Sequence, residues 1–352
     1  MDLKQIRREI DWIDVQLLKL LRERLEMALR TRNFKQGIVD DEREQEVLRR
    51  ARGFSGQLLA ESYLEELFRR IIEESRALEE RDYSFIAFQG EHGAYSEMAA
   101  RQAFPGGVTV PLATFAEVFA LVGSGTIDQA VVPLENSTEG AVAEVHDLLL
   151  ENDLFIRAEI LFPIHHQLLA LPSCEPRDIQ AVYSHPQALG QCRRFISRRK
   201  LSAQPFYDTA GAARWLMESR RRDAAVIAGS LCADLYGLEV LLADIEDEKV
   251  NRTRFLVLGK NALEQQNGPC KTSIVLSAPH RAGALLEVLQ VFAAADLNLT
   301  RLESRPHKSD PGNYLFFLDF QGNSSDRQTA GVLERLREKV DYFKFLGSYR
   351  EL

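Results

Sequence analysis

A hydroxyl, a guanidinium and an aromatic ring follow one another at Thr253, Arg254 and Phe255, where polar residues run into an apolar stretch that ends at Gly259. Polar residues followed by a short apolar run predict the beginning of a β-strand. A guanidinium holds a carboxylate well, and a hydroxyl donates a hydrogen bond to a leaving oxygen. The triplet alone is common at strand edges, so its chemistry depends on the elements that surround it.

Composition narrows the classes of protein to consider. The 352 residues suffice for two or three domains, and 45% hydrophobic with 27% charged residues is typical of a globular protein. The net charge of -8 argues against bulk nucleic-acid binding. The sequence has no signal-peptide pattern and no apolar run of about 18 residues, so we expect no membrane partner and a cytoplasmic location.

The four cysteines lack both the paired spacing of a zinc site and the density of a secreted disulfide framework. We therefore expect reduced thiols. No glycine-rich nucleotide motif follows any apolar run, and no cluster of metal-ligand residues is visible in the sequence. The sequence predicts no cofactor and no metal.

Apolar residues recur every three or four positions from residue 2 to 34, which predicts a long amphipathic helix. A second helix begins at Asp40 and Asp41, and a third follows Ser55 and Gly56. The simplest interpretation of these helices is a helical bundle that mediates dimerisation.

Three basic residues of the first helix suggest a pocket for an anion. Arg24 and Lys35 share a face of the helix if it persists that far, whereas Arg7 lies about 25 Å from Arg24 along the axis. One small ligand cannot touch both arginines on a single straight helix. The first helix of a partner chain would supply the missing arginine, so the spacing favours an intertwined dimer.

The segments IRREID, LLRERLEMA, DDERE and IIEESRALEE resemble the all-α chorismate mutase domain. The resemblance implies that chorismate is bound by Arg7 of the partner chain and by Arg24, Lys35, Asp40, Arg43, Glu44, Ser75 and Glu79. Lys35 and Glu79 would act at the ether oxygen, where the family commonly has glutamine in place of Glu79. A carboxyl group donates a hydrogen bond only when protonated, so we expect mutase activity to fall as pH rises. The alternative is a helical domain without catalysis.

Short apolar strands that run into polar loops alternate with helical segments between residues 84 and 260, which predicts an α/β fold. In order, GEHGAYS, PLENSTEG, SHPQ, DTAGAA and NRTRF resemble prephenate dehydratase. The resemblance implies two lobes like those of a periplasmic binding protein, with the active site between them. It also implies that prephenate is bound by Ser96, Asn136, Ser137, Thr138, Thr253, Arg254 and Phe255.

The roles of these residues follow from the expected reaction, in which prephenate loses carbon dioxide and hydroxide. Threonine is a weak acid, so we assign Thr253 a hydrogen-bonding and orienting role in catalysis. Arg254 either clamps a carboxylate or braces the loop, and Glu135 is either an acid or a structural partner. The family's usual serine in its Ser-Thr-Ala motif is Asp208 here.

Three histidines are candidates for a catalytic role. His165 and His166 lie among apolar residues, which predicts one core and one surface residue. His185 precedes a proline, so we expect it to shape its loop.

The remaining segment, residues 272–349, shows a βαββαβ order of strands and helices. It resembles an ACT domain, and its motifs imply phenylalanine binding by Gly283, Ala284, Leu285, Leu286, Glu303, Ser304, Arg305 and Pro306. A glycine-opened helix offers backbone N–H groups to a carboxylate. The alternative is a ferredoxin-like dimerisation module without a ligand.

The sequence therefore predicts a multidomain protein with an all-α domain at 1–82, a bilobal α/β domain at 84–260 and an α+β ferredoxin-like ACT domain at 272–349. The resemblance implies a bifunctional chorismate mutase and prephenate dehydratase of phenylalanine biosynthesis, with phenylalanine feedback and at least a homodimer. The rival from another class is a non-enzymatic amino-acid sensor, which would bind phenylalanine without converting prephenate.

Overall fold

The computed structural model describes residues 2–31, 40–263, 268–278, 281–306 and 314–352. These residues divide into two compact units, Met1–Ser84 and Phe85–Leu352. The helices and strands of the described residues are, in chain order, α1 (Leu3–Thr31), α2 (Asp41–Arg52), α3 (Glu61–Glu79), β1 (Phe85–Gln89), α4 (Tyr95–Ala103), β2 (Val108–Leu112), α5 (Phe115–Ser124), β3 (Gln129–Asn136), β4 (Gly140–Ala141), α6 (Ala143–Glu151), β5 (Phe155–Pro163), β6 (Gln167–Ala170), β7 (Ala181–Ser184), α7 (Pro186–Gln191), α8 (Arg193–Arg199), β8 (Ser202–Pro205), α9 (Thr209–Ser219), β9 (Ala224–Ala228), α10 (Leu231–Tyr236), β10 (Glu239–Leu242), β11 (Arg252–Gly259), β12 (Lys271–Ser277), α11 (Ala284–Ala294), β13 (Leu299–Pro306), β14 (Tyr314–Gln321), α12 (Arg327–Lys339) and β15 (Tyr342–Glu351).

The first unit is helical, as predicted. Helix α2 begins where the Asp40 carboxylate accepts a hydrogen bond from the Arg43 backbone N–H at 3.0 Å, and acidic residues fill its first turn. Helix α3 begins at Glu61, later than expected from Ser55 and Gly56. Residues 53–60 contain turns and bends and no helix.

The second unit contains two sheets, which confirms the two-lobed α/β prediction. The larger sheet has the strand order β13-β14-β12-β15-β5-β11-β3-β1-β2, with β4 beside β3, and the smaller has the order β10-β6-β9-β7-β8. The chain leaves the larger sheet after β5, builds the smaller one and returns in β11. We call the part built on β1, β2, β3, β5 and β11 the first lobe, and the part built on the smaller sheet the second lobe.

Local sequence signals are visible at both ends of α5. The Thr114 hydroxyl accepts from the Glu117 N–H at 3.2 Å, and the Glu117 carboxylate accepts at 3.0 Å from the N–H of Ala113, the residue before the N-cap, so the two residues form a variant of the capping box. The helix ends at Gly125, whose φ of 81° lies in the left-handed region that glycine adopts readily.

The C-terminal strands and helices follow the predicted βαββαβ order. Strand β15 also pairs in parallel with β5, through Arg350 beside Ala158 and Glu351 beside Glu159. The C-terminal sheet is therefore continuous with the sheet of the first lobe, and β11 lies only two strands from β15.

Two composition-based expectations concern the whole chain. All four cysteines are buried free thiols. Within the described ranges, no helix is both long and apolar enough to cross a membrane.

Candidate active sites and regulatory site

Strand β11 separates the predicted triplet onto two faces. Its neighbours Thr253 and Arg254 point to opposite faces because side chains alternate along a strand, and Phe255 returns to the Thr253 face. All three are buried, at 8%, 7% and 2% exposure. Thr253 and Phe255 line a cavity of about 430 Å³, and Arg254 is not among its lining residues.

The cavity lies between the two lobes, because both contribute to its wall. The first lobe supplies Ser96, Asn136, Thr253 and Phe255, which are four of the seven residues predicted to bind prephenate. Helices α7 and α9 of the second lobe supply the opposite side, including His185, Gln191 and Asp208.

Asn136 holds the Thr253 hydroxyl in place. The Asn136 side-chain amide donates to Thr253 Oγ1 at 2.8 Å and to Asn251 Oδ1 at 2.8 Å. Its carbonyl oxygen accepts from the backbone N–H groups of Thr138 and Glu139 at 2.9 and 3.2 Å. Because the Thr253 oxygen accepts from this fixed amide, its own proton is directed to another acceptor. The Thr253 proton is therefore available to an acceptor in the cavity.

Two helix N-termini lie in the wall of the cavity. Ala94, Tyr95 and Ser96 lie at the start of α4, and Val142 precedes α6; neither helix has a side-chain cap. Among the described lining residues, none is a lysine or arginine. Backbone N–H groups and helix dipoles are therefore the positive groups that this wall offers to an anion.

Ser137 and Thr138 have structural partners near the cavity. The Ser137 hydroxyl accepts from the Arg252 N–H at 3.0 Å and so ties β3 to β11. The Thr138 hydroxyl accepts from the Gln191 side chain at 3.0 Å across the lobes and donates to Asn136 Oδ1 at 2.6 Å.

The histidine predictions are confirmed in part. His166 is buried and the His165 side chain is 49% exposed, as one core and one surface residue. His166 also lines the cavity, and burial lowers the pKa of its imidazole. The His185 ring accepts from the Gln187 N–H at 3.3 Å and caps α7.

Arg254 lies in a cluster of charged groups between the first lobe and the C-terminal sheet. Its guanidinium donates to Glu159 at 2.7 Å, to Asp319 at 2.6 Å and to the Tyr349 hydroxyl at 3.0 Å. Burial lowers the pKa of Arg254, but Asp319, Tyr349 and Glu159 raise it by more, so the net shift is upward. These contacts favour the alternative in which Arg254 braces its loop over the one in which it binds a substrate carboxylate.

Glu135 belongs to the same region. Its carboxylate accepts from Arg254 at 3.3 Å and from Arg301 of β13 at 3.0 Å. Both partners are arginines, whereas the sequence suggested a cavity acid or a partner for backbone amides. Glu135 does not line the cavity.

One group of side chains offers metal-ligand atoms. One ligand atom each from His165, Asp244 and Glu246 lies within 4.8 Å of the others. This cluster could not be predicted from the sequence, because His165 lies about 80 positions from Asp244 and Glu246. His165 Nδ1 is already 3.0 Å from Glu246, and the Glu246 carboxylate also accepts from the His166 N–H.

Cationic groups converge in the first unit. Arg24 donates to the Ser75 hydroxyl at 2.8 Å, and burial together with the nearby charge of Arg43 lowers the pKa of Arg24. A partly buried arginine with a second cation beside it forms a favourable place for an anion.

The other predicted chorismate residues are distributed as follows. Glu79 is buried, Arg7 is exposed, and Asp40 caps α2. Glu44 pairs with Arg76 through a hydrogen bond of 2.6 Å. Lys35 lies outside the described residues.

The residues predicted to bind phenylalanine lie where strands of the C-terminal sheet end. Strands β12 and β13 are both antiparallel to β14, so their C-terminal ends lie on the same side of the sheet. Helix α11 begins there after Gly283, whose φ is 86° and which provides no side-chain cap. On β13, Glu303 and Arg305 are partly buried and Ser304 and Pro306 are exposed.

Sequence comparison assigns each part of the chain to a known family. Family models match as chorismate mutase type II at residues 6–80, as prephenate dehydratase at 86–263 and as the ACT domain at 272–338. A bifunctional chorismate mutase/prephenate dehydratase of Neisseria gonorrhoeae is 38% identical over 97% of this chain and 95% of that protein.

Two further relatives match the second unit. An arogenate dehydratase/prephenate dehydratase of Arabidopsis thaliana is 38% identical over 75% of this chain and 71% of that protein. The crystal structure of prephenate dehydratase from Arthrobacter aurescens in complex with L-Phe is similar with a TM-score of 0.70 and 34% identity, and the match covers 76% of this chain and 90% of that one.

Proposed function

Because the chain belongs to the family of bifunctional chorismate mutase/prephenate dehydratases, we propose that it converts chorismate through prephenate to phenylpyruvate under feedback inhibition by L-phenylalanine. The proposed limits are 1–82 for the mutase, 84–260 for the dehydratase and 272–349 for the ACT domain. The observation that carries the dehydratase site is the Thr253 hydroxyl, oriented by Asn136 toward a cavity with open helix N-termini.

In the dehydratase step, the substrate carboxylates bind at the N-termini of α4 and α6, with Ser96 as a further donor. The electron pair of the bond to the ring carboxylate moves into the ring, carbon dioxide leaves, and the opposite C–O bond breaks. Thr253 donates a hydrogen bond to the departing hydroxide and so stabilises the charge that develops there. Phe255 covers the ring, and Asn136 positions Thr253.

Arg254 and Ser137 support this site without contacting the substrate. The carboxylates of Glu135, Glu159 and Asp319 and the Tyr349 hydroxyl occupy the Arg254 guanidinium on the far face of β11. Ser137 ties β3 to β11 at the level of Thr253. Both residues keep the strand that carries Thr253 in register.

In the mutase step, Arg24, Arg43 and Ser75 bind a carboxylate of chorismate, and Lys35 with Glu79 acts at the ether oxygen. A pericyclic rearrangement needs no nucleophile, so compression of the substrate and positive charge near the breaking bond suffice. The lowered pKa of Arg24, caused by burial and by the nearby charge of Arg43, supports this assignment. Asp40 and Glu44 would meet the ring hydroxyl.

A second copy of the chain completes the mutase pocket. Apolar residues of α1 recur with alternating spacings of three and four and remain exposed, with Ile10 at 50%, Ile13 at 48%, Leu17 at 59% and Leu20 at 60%. This is the pattern of a helix that packs against another helix, and Arg24 continues the same stripe. An antiparallel partner would bring its Arg7 to this end. A dimer is therefore proposed, with a cytoplasmic location.

L-Phenylalanine binds where α11 begins beside the end of β13, with its carboxylate on the N–H groups after Gly283. The other side chains proposed to contact it come from the same two segments, at Ala284, Leu285, Leu286, Glu303, Ser304, Arg305 and Pro306. Arg305 donates to the Ala143 carbonyl at 3.1 Å, at the first turn of α6. A shift of β13 would therefore reach the wall of the dehydratase cavity.

The decisive experiment supplies chorismate alone and measures chorismate, prephenate and phenylpyruvate with and without L-phenylalanine. Phenylpyruvate that forms from chorismate and is suppressed by L-phenylalanine supports all three parts of the proposal. Untouched chorismate beside rapid conversion of added prephenate would restrict catalysis to the second unit. Binding of L-phenylalanine without any conversion of prephenate would favour the amino-acid sensor.

The position of Asp208 in the cavity supports arogenate as a second substrate. Arogenate carries an ammonium group where prephenate has a carbonyl, and the Arabidopsis relative is named for both substrates. The Asp208 carboxylate lines the cavity, where no lysine or arginine among the described lining residues pairs with it. Burial raises the pKa of Asp208, and a bound ammonium group would offset that effect.

The test of this second activity compares turnover of arogenate and prephenate by the protein and by Asp208→Ser. We expect the substitution to lower kcat/KM for arogenate by about tenfold while that for prephenate is kept or increased. Equal losses with both substrates, or no conversion of arogenate by the unsubstituted protein, would exclude the activity.

A further inference from the structure

Four side chains beside Thr253 form a closed ring of hydrogen bonds in which each donates to the next. Asn136 donates to Asn251 Oδ1 at 2.8 Å, Asn251 donates to Gln191 Oε1 at 3.0 Å, and Gln191 donates to Thr138 Oγ1 at 3.0 Å. The Thr138 hydroxyl closes the ring by donating to Asn136 Oδ1 at 2.6 Å. Hydrogen bonds that run in one direction polarise and strengthen one another.

The ring joins the two lobes at the catalytic strand. Asn136, Thr138 and Asn251 belong to β3, the loop after it and the residue before β11, whereas Gln191 is the last residue of α7 in the second lobe. From the same Asn136 amide, a branch donates to Thr253 Oγ1 at 2.8 Å. Gln191 is therefore connected to Asn136 by two hydrogen bonds, which pass through Asn251. Asn136 in turn contacts the Thr253 hydroxyl.

We propose that Gln191 is a positioning residue of the dehydratase, which completes this ring from the second lobe and thereby orients the Thr253 hydroxyl for the departing hydroxide. The inference rests on the proposed function. Gln191 serves this role because its amide offers one acceptor to Asn251 and one donor to Thr138. Without these two bonds the ring is open, and Asn136 holds the Thr253 hydroxyl less firmly.

The ring predicts different behaviour for two substitutions of the same residue. Gln191→Ala removes both bonds, and we expect kcat for prephenate to fall about 10- to 100-fold with little change in KM. Gln191→Glu keeps the shape, but a carboxylate accepts from Thr138 and so withdraws the Thr138 proton from Asn136. When protonated, the introduced carboxyl group donates to Thr138 again and restores the direction of the ring.

The measurement is kcat of the full-length protein with added prephenate from pH 5 to 8, expressed as the ratio of variant to unsubstituted protein. For Gln191→Glu we expect this ratio to rise as pH falls, whereas for Gln191→Ala it stays low. Ionisable side chains near Gln191 include His166, whose Nε2 lies 2.7 Å from Gln191 Oε1, and Glu246, which contacts His165. Asp247 is also close, because its backbone N–H donates to the Gln191 carbonyl. The ratio removes their effect where it is common to both proteins.

Gln204→Glu is the matched control, since Gln204 lies on β8 and hydrogen-bonds only locally to Ser202 at 2.8 Å. A Gln191→Glu ratio that is constant with pH, or a Gln191→Ala effect confined to KM, would overturn the inference. Thr253→Val separates it from the proposed function. If Thr253→Val keeps full activity, the proposed chemistry fails; if it is inactive while both Gln191 variants match the control, only the positioning role fails.

Discussion

Glu97, the third residue of α4, organises the loop that precedes the cavity wall. Its carboxylate accepts from the Gly93 N–H at 2.6 Å, from the Thr109 hydroxyl at 2.8 Å and from Arg101 at 2.7 Å, and it lies 3.0 Å from His92. Burial raises the pKa of Glu97, but His92, Arg101 and the Gly93 N–H lower it more strongly, to about 2. The ionised carboxylate therefore stabilises the folded state.

We expect Glu97→Gln to destabilise the second unit at neutral pH. The folded pKa of about 2 lies below the reference value of 4.5, so the stabilisation is present above about pH 4.5 and is lost as pH falls toward 2. The shift corresponds to about 3 kcal/mol. Thermal unfolding from pH 7 to pH 3 should show a gap in Tm between the two proteins that narrows on acidification.

The exposed residue Glu117, also in the first turn of a helix, provides the control for this experiment. Glu117→Gln should change Tm little at any pH, because exposed carboxylates contribute little to stability. A gap for Glu97→Gln that is independent of pH would mean that packing, and not charge, explains the loss.

Glu79 carries a prediction for the mutase. It is 4% exposed on α3, and we propose that it acts at the ether oxygen of chorismate. A glutamine side chain donates a hydrogen bond to that oxygen without having to be protonated, so we expect Glu79→Gln to raise the mutase rate at neutral pH by up to about tenfold, the gain of about one hydrogen bond. Initial rates of chorismate consumption test this statement, with Glu80→Gln as the exposed neighbour control. A rate that Glu79→Gln leaves unchanged would rule out the role.

At the scale of elements, β11 joins the dehydratase cavity to the C-terminal sheet. Thr253 faces the cavity, and Arg254 on the opposite face contacts Asp319 of β14 and Tyr349 of β15. The Ser273 hydroxyl of β12 also donates to Asp319 at 2.5 Å. We propose that this strand transmits displacements of the C-terminal strands to the Thr253 hydroxyl.

We expect Asp319→Asn to weaken this connection, because it leaves Arg254 with one buried carboxylate fewer. Removing one partner of a buried ion pair costs about 3 kcal/mol, or roughly 5 to 10 °C in Tm for a unit of this size. Inhibition of prephenate conversion should require more L-phenylalanine. Calorimetry should show that L-phenylalanine still binds.

Asp153→Asn is the control, because the Asp153 side chain is fully exposed and pairs with Lys344 at 3.6 Å in the same unit. Surface pairs contribute about 0 to 1 kcal/mol. Equal inhibition of the Asp319→Asn and Asp153→Asn proteins by L-phenylalanine would show that the effector acts by another route.

The sequence was sufficient to predict most elements, because their signals are local. The capping box at Thr114, the left-handed Gly125 and the βαββαβ order of the C-terminal segment depend only on neighbouring residues. The position of Thr253 at the start of a strand was predictable for the same reason. The late start of α3 was not, since residues 53–60 offered several competing turn positions.

Contacts between residues that are far apart in the sequence could not be predicted from local signals. Whether Arg254 clamps a substrate or braces the strand depends on Asp319 and Tyr349, which lie 65 and 95 positions away in the chain. Gln191 occupies the end of a helix with no sequence motif, and its role depends on Asn251 and Thr138 in the other lobe. Such roles follow from the packing of the lobes and from no local pattern.

At the scale of the whole molecule, we propose that the mutase site contains residues of two chains. Arg7 and Arg24 are separated by about 25 Å along α1, so they cannot meet one small ligand from the same helix. The exposed stripe that contains Ile10, Ile13 and Leu17 favours an antiparallel partner helix. Each pocket then contains Arg24 of one chain and Arg7 of the other.

This arrangement predicts complementation between two inactive variants. Arg7→Ala and Arg24→Ala should each lose mutase activity by about 100-fold or more, the loss of a charged contact with substrate. In a mixed dimer, one pocket carries both substitutions and the other carries neither, so co-expression of the two chains should restore activity to about a quarter of the unsubstituted value if the chains pair at random. Prephenate conversion, which does not use these arginines, should stay unchanged throughout and normalises the measurement. Two variants that remain inactive after verified mixing would mean that both arginines serve a pocket within one chain, or that the stripe on α1 has another partner.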